Sequence, residues 1–249
     1  MKVEFLGVGE AFDELLPNNS QILEWQDCRL LIDCGYSIPQ ALWKQHPEAD
    51  YIDAIYLSHR HADHYFGLPS VLLRFAEDGR NKPLALICQK GMKKVITEMI
   101  DYAYFGILPK LNFPIEFIET VTEKPVFFKN ASLNFAISSH PVKNFAIAVE
   151  HEGSKYAYSG DGNFNAMTRR LYTDCSLLVH EAYGLDAASH GHAEIGSLLS
   201  MAGDQNVRRL ALTHIQREIR RSRMREIRDR IAGARVEVII PEPGDVLEV

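Results

Sequence analysis

Residues 57–69 read LSHRHADHYFGLP, and within them His59, Arg60, His61, Ala62, Asp63 and His64 put three imidazoles and a carboxylate into six consecutive positions. The preceding DAIYLS (53–58) is apolar and β-branched enough for a buried strand, and FGLPS after the cluster opens a helix. The cluster therefore belongs on a strand-to-helix turn, which points several side chains at one spot. His59 and His61, two apart, can face one side, while Asp63 and His64, where the chain turns, can face a second metal. Two ions about 3.5 Å apart, held by imidazole nitrogen and carboxylate oxygen, share a bridging hydroxide acidified enough to exist at neutral pH. Such a site supplies a nucleophile without a serine or cysteine.

The remaining donors of such a site are found downstream. His140 follows the strand-like SLNFAISS, Asp161 lies in KYAYSGDGN where a carboxylate can bridge both ions, and His214 closes the apolar RRLALT. Any one of these histidines alone reads as a satisfied core or surface residue. Together they all sit just past expected strands, where an α/β scaffold places its chemistry.

In order, the motifs FLGVGEAF, LLIDCG, SHRHADH, SSHPV, YSGDG, HEA (180–182), GHA (191–193) and LTH make the chain resemble the metallo-β-lactamase superfamily, in its ribonuclease Z-like branch. The resemblance implies an αββα four-layer α/β sandwich. It assigns His59, His61, His140 and bridging Asp161 to one divalent ion, and Asp63, His64, Asp161 and His214 to a second. Zinc is the first expectation, and manganese or iron suits the same mixed shell. Asp63 would also orient the hydroxide, and Glu181 with His192 would assist departure of the leaving group, since a Glu-oriented imidazole is a reasonable proton donor to an alkoxide. The branch carries His-Ser-Thr where this chain has His192, Ala193 and Glu194.

Two further departures narrow the function. At the third ligand the chain has Ser-Ser-His-Pro, not the Thr-Pro-Gly-His-Thr of glyoxalases and lactonases, which favours the phosphodiesterase side of the superfamily. Ribonuclease Z proper inserts a long tRNA-gripping arm between its third and fourth motifs, but only about twenty residues separate His140 from Asp161 here. That stretch reads as a hairpin around Gly153 and Ser154. The expectation is a metal-dependent phosphodiesterase acting on a small phosphodiester or nucleotide-like substrate. The alternatives are a ribonuclease Z-like tRNA 3′ endonuclease and a hydrolase of another ester, such as an aryl sulfate or lactone. A non-catalytic accessory usually has a broken ligand set, and this set reads as whole.

At 249 residues and 46% hydrophobic content, the chain reads as one hydrolase domain over 1–249. No apolar run approaches the roughly twenty residues that span a bilayer, and MKVEFLGVGE lacks the features of a signal peptide, so a cytoplasmic protein without a membrane partner is expected. Cys28, Cys34, Cys88 and Cys175 have no paired spacing and read as buried reduced thiols. A net charge of −6 argues against broad nucleic-acid binding, so RNA is not the favoured partner. Dimerisation is suggested only by the family's habit.

Other segments carry weaker signals. QREIRRSRMREIRDRI (216–231) is arginine-rich with one apolar stripe and reads as a long surface helix, with Arg220 and Arg223 as candidates for guiding phosphate. Helices are also expected over Pro69 to Glu77, Gly91 to Tyr104 and His192 to Ala202. DYAYFGILPKL (101–111) suits either core packing or a loop leaning over the site. Asn18, Asn19 or Ser20 either touch substrate or form a plain turn. His180 reads as a structural hydrogen-bonding partner, and His46, His151 and His190 as solvent-facing.

Overall fold

Strand alternation explains the layers. In the run Ala54–Leu57 every residue is buried. Ala54 and Tyr56 face one apolar cluster while Ile55 and Leu57 face another, the signature of a strand covered on both sides. A computed structural model of the chain describes residues 1–249 apart from 123, 188 and 190. It has two seven-stranded sheets.

The first sheet contains β1 (Lys2–Gly7), β2 (Ser20–Trp25), β3 (Cys28–Ile32), β4 (Ala54–Leu57), β5 (Leu84–Gln89) and β6 (Ile115–Thr120) in chain order. The second runs inward from its edge strand β7 (Val126–Phe128) through β8 (Ala131–Ile137), β9 (Phe145–His151), β10 (Ser154–Tyr158), β11 (Leu177–Glu181) and β12 (Arg209–Thr213) to β13 (Glu237–Ile239). The last strand, β14 (Val246–Glu248), returns to the first sheet and pairs antiparallel with β1. Neither β14 nor the first helix, α1 (Ile38–Gln45), was foreseen from the sequence.

Three apolar clusters separate the four layers. One lies between the sheets, with Phe5, Leu30 and Tyr56 meeting Phe135, Phe145, Tyr156 and Tyr158. A second packs the first sheet under α1, α3 (Leu68–Glu77) and α4 (Met92–Ala103), and a third packs the second sheet under α5 (Ala166–Tyr172), α6 (Ile195–Asp204) and α8 (Met224–Ile231). Polar side chains tie the sheets across the core: the Tyr56 hydroxyl donates to the Phe145 carbonyl at 2.7 Å and the Trp25 indole to Lys129 at 2.8 Å. This is the αββα sandwich expected. All four cysteines are buried and unpaired. Among the described residues no helix is long and apolar enough to cross a membrane.

Several boundaries differ from expectation. The β9–β10 turn is Glu152 and Gly153, both at positive φ, and Ser154 already pairs with His151. Helix α6 starts at Ile195 because the Glu194 carboxylate caps it, accepting from Gly196 and Ser197 N–H, so His192 lies in the preceding loop. The arginine-rich helix breaks at Arg223 (φ −127°, ψ 19°) into α7 (Arg217–Ser222) and α8.

Candidate metal centre

Five strand ends converge on one place. The turn after β4 carries His59 and His61 and enters the short helix α2 (Ala62–Tyr65), which carries Asp63 and His64. His140 follows β8, Asp161 follows β10, Glu181 ends β11, and His214 follows β12. Strands β10 to β13 run parallel, so their carboxyl ends open toward the same side.

Two backbone features let the loops close up. A Cβ at Gly35 would stand 1.9 Å from the Asp63 carbonyl oxygen, and at Gly162 (φ +110°) it would meet Ser138 Oγ at 2.5 Å and His140 Cβ at 2.9 Å. His214 itself sits at φ +54°, with its N–H donated to the Val8 carbonyl at 2.8 Å. A non-glycine residue held there is local strain of the kind that clusters at functional sites.

Two groups of donor atoms share Asp161, each with its members within 4.8 Å of one another: His59, His61, His140 and Asp161, then Asp63, His64, Asp161 and His214; Glu181, His192 and His214 form a smaller third. In the first, His61 Nδ1 lies 3.0 Å from His59 Nε2 and 3.2 Å from His140 Nε2. In the second, His64 Nε2 lies 3.1 Å from Asp63 and 3.3 Å from Asp161, and His214 Nε2 lies 3.5 Å from each of the same carboxylates. Asp161 serves the groups with different oxygens: Oδ2 is 3.8 Å from His59 Nε2, and Oδ1 faces His64 and His214.

The donor set fits divalent cations. His64 Nε2 and Asp161 Oδ1 are buried polar atoms with no hydrogen-bond partner, the condition a bound ion relieves. Three of the outer nitrogens, by contrast, are held: His59 Nδ1 by Ser58 Oγ at 3.0 Å, His64 Nδ1 by Asp33 at 2.7 Å, and His140 Nδ1 by the Gly191 carbonyl at 3.0 Å, whereas His214 Nδ1 is buried with no partner among the described residues.

Electrostatics divide the groups. Burial, reinforced by the nearby charge of His64, holds His59 well below the usual imidazole range, and burial with His140 lowers His61. Burial also opposes charge on His64 and His214, but Asp161 and Asp63 outweigh it, taking His64 well above its ordinary value and His214 to about 9. Asp63 and Asp161, though buried, are held below the carboxylate range, chiefly by His64 and His214 respectively. The two imidazoles and the two buried carboxylates thus favour each other's charged forms, a balance that a bound cation would take over.

Beside the second group, Glu181 is fully buried and accepts from His192 Nδ1 at 3.2 Å and from Ala193 N–H at 2.9 Å. Burial opposes charge on both partners, yet their mutual contact leaves Glu181 lowered and His192 raised. The His192 ring stacks on Tyr183 at 4.7 Å and on His214 at 5.8 Å. It lines a cavity of about 450 Å³ together with Glu10, Phe12, Tyr36, Asp63 and Tyr183. A larger depression of about 810 Å³ beside Lys129 and Lys155 contains none of these donor residues.

Other sequence expectations fall elsewhere. Asn18, Asn19 and Ser20 are buried and structural: Asn18 bonds Ser37, Asn19 donates to the Tyr158 hydroxyl at 3.3 Å, and Ser20 donates to the Asp33 carbonyl at 2.8 Å. The segment 101–111 neither lines the cavity nor buries its rings, since Tyr102 and Phe105 are about nine-tenths exposed. Arg220 and Arg223 are spent on carboxylates, Arg220 on Asp13 and Arg223 on Asp186 and Glu226, so they do not present free guanidinium to phosphate. His180 is buried with Nδ1 on the Glu181 carbonyl, as expected of a structural partner. His46 is instead held by Glu4 and stacked on Tyr51, and His151 is buried against the Asn130 carbonyl; His190 lies outside the described residues. Asp33, to which no role was given, proves to be the main support under the site; its motif LLIDCG was visible, but its contacts are with residues far along the chain.

A model of the family described as anti-Pycsar protein Apyc1 matches residues 1–232. The anti-Pycsar protein Apyc1 of Bacillus phage 010DV004 is 27% identical over 86% of this chain and 88% of its own. Ribonuclease Z of Metallosphaera sedula is 22% identical over 88% of this chain and 90% of its own. Among solved structures, the metallo-β-lactamase fold protein YhfI of Bacillus subtilis superposes with a TM-score of 0.82 at 21% identity, covering 100% of this chain and 99% of that one. The chain belongs to the anti-Pycsar protein Apyc1 family, and with it to the ribonuclease Z-like, metal-binding hydrolases of the metallo-β-lactamase superfamily.

Proposed function

We propose that this chain, acting as one domain, is a metal-dependent phosphodiesterase for small, nucleotide-like phosphodiesters, and that it shares the anti-Pycsar role its relatives are named for. The observation that carries the reading is the shared carboxylate: Asp161 presents Oδ2 to one donor group and Oδ1 to the other. His59, His61, His140 and Asp161 would hold one divalent ion, and Asp63, His64, Asp161 and His214 a second, zinc being the first choice. Ions bound there supply acidification of water and neutralisation of phosphoryl charge. Asp63, held ionised, accepts a hydrogen bond from the attacking water and orients it. Glu181 fixes the His192 ring through Nδ1, leaving Nε2 to give a proton to the departing oxygen.

Substrate size follows from shape. A cavity of about 450 Å³ is in the range that encloses a small ligand. Where ribonuclease Z carries its arm, this chain has the two-residue turn at Glu152 and Gly153.

Turnover of bis-p-nitrophenyl phosphate, linear dinucleotides, cyclic mononucleotides and a precursor tRNA by zinc-loaded protein tests this reading. Cleavage of the small esters with an intact tRNA is expected. Cleavage of the tRNA alone would instead support a ribonuclease Z-like activity.

A further inference from the structure

Two loops that line the cavity are each gripped by the arginine-rich helices. Residues 10–13 contribute Glu10, Ala11 and Phe12 to the cavity, and residues 183–192 contribute Tyr183, Ser189 and His192. Phe12 is 74% exposed, so packing of its own ring does not hold it in place. Carboxylates do so instead. Glu10 is almost fully buried; its Oε1 accepts from Arg217 Nη1 at 2.6 Å while Oε2 accepts the Phe12 N–H at 2.9 Å. The Asp13 side chain is fully buried; its Oδ2 accepts from Arg220 at 2.7 and 3.2 Å while Oδ1 accepts the N–H groups of Leu15 and Leu16 at 2.9 and 3.1 Å. Each carboxylate therefore gives one oxygen to α7 and the other to the loop backbone. Arg221 adds a pair with Glu14, and the Tyr36 hydroxyl donates to the Ala11 carbonyl.

The second loop is held from α8 and from the residue that joins the helices. Asp186 accepts from Arg223 at 2.5 Å and from Arg230 at 3.0 Å, and Arg230 also reaches the Leu185 carbonyl and Glu194, at 3.4 Å for the latter. Glu194 caps α6 just beyond His192, so this contact ties α8 to the segment that carries the imidazole. Arg220 and Arg223, which the sequence offered as phosphate contacts, are instead committed to Asp13 and Asp186, carboxylates of the two cavity loops.

We propose that α7 and α8 form a strut that sets the position of both cavity loops, with Arg217 and Arg220 as positioning residues for Phe12 and its neighbours. Fork-shaped guanidinium suits this better than an ammonium, because Arg220 reaches one carboxylate oxygen with two nitrogens at once. The inference rests on the cavity being where substrate binds, the reading proposed above. Loosening α7 would therefore weaken substrate binding more than the chemical step.

The test uses the full zinc-loaded chain with Arg220→Gln, Asp13→Asn and the double variant, read by hydrogen–deuterium exchange over residues 11–16 and by kcat and KM on bis-p-nitrophenyl phosphate. Exchange over 11–16 is expected to quicken about tenfold in each single variant and no further in the double, since both remove one interaction. KM is expected to rise about fivefold with kcat within about twofold, the pattern of lost uniform binding. Arg220→Lys, which keeps the charge and loses the fork, should fall between. Unchanged exchange over 11–16, additive losses in the double variant, or a fall in kcat at constant KM would overturn the strut. Parent protein silent on phosphodiesters counts against the proposed function alone, because the exchange measurement still decides the strut.

Discussion

Asp33 Oδ2 lies 2.7 Å from His64 Nδ1, and the same carboxylate reaches the other donor group through one hydroxyl. Ser58 Oγ donates to Asp33 Oδ2 at 2.7 Å and faces His59 Nδ1 at 3.0 Å. The Tyr158 hydroxyl and the Ser58 N–H also donate to Asp33, at 2.8 Å each. One buried carboxylate thus orients an imidazole in each group and makes both present Nε2 inward.

Replacing Asp33 should therefore act on metal retention before it acts on folding. In Asp33→Asn the amide oxygen can still accept, but the negative charge that raises ligand basicity is gone. Zinc affinity is expected to fall about 10- to 100-fold, measured by competition with a chromogenic chelator. An unchanged affinity would show that Ser58 and the backbone suffice to hold the rings.

The role given to His192 separates substrates by their leaving groups. His192→Ala should slow esters with poor, alkoxide-like leaving groups by about 10²–10⁴-fold while leaving activated aryl esters much less affected. Equal losses on both would remove it as the proton donor and leave its stacking between Tyr183 and His214 as its function.

Burial fixes the behaviour of the thiols. Cys28, Cys88 and Cys175 are each pushed from an ordinary value of 9.0 up to about 12, and Cys34 is raised further, in every case chiefly by burial. Unfolded thiols lose their protons near 9 while folded ones keep theirs, so the unfolded state binds fewer protons above that pH and their contribution to stability falls as pH rises. Native protein at pH 8 should leave a disulfide-exchange reagent such as Ellman's untouched and react at all four cysteines once unfolded. Rapid reaction of the native state would mean that the core around β3 and β5 opens readily.

Much of this arrangement is legible in the residues, and what is not has a common cause. Strand alternation and the HRHADH cluster announce themselves locally, because period and ligand spacing lie within a few residues of each other. Partners far apart in the chain do not. Asn18, Asn19 and Ser20 look like a polar turn, yet they are buried because Ser37, Tyr158 and Asp33 satisfy them across the fold. Arg220 looks like a surface cation until Asp13, more than 200 positions earlier, is found beneath it. Helix α6 begins three residues later than its periodicity suggests because Glu194, which stands where the branch's usual tripeptide has Thr, caps it. Strand β14 has an ordinary composition and is a strand because β1 offers it an edge.

The most direct test of a shared-carboxylate metal centre is metal content by elemental analysis of purified, zinc-equilibrated protein, with Asp161→Ala in parallel and turnover of bis-p-nitrophenyl phosphate, an aryl sulfate and a lactone on the same samples. Two zinc ions per chain with preference for the phosphodiester are predicted, with loss of both metal and turnover in Asp161→Ala, since that carboxylate belongs to both donor groups. An Asp161→Ala protein that keeps two ions, or a two-metal parent that cleaves the sulfate or lactone and ignores the phosphodiester, would contradict the account.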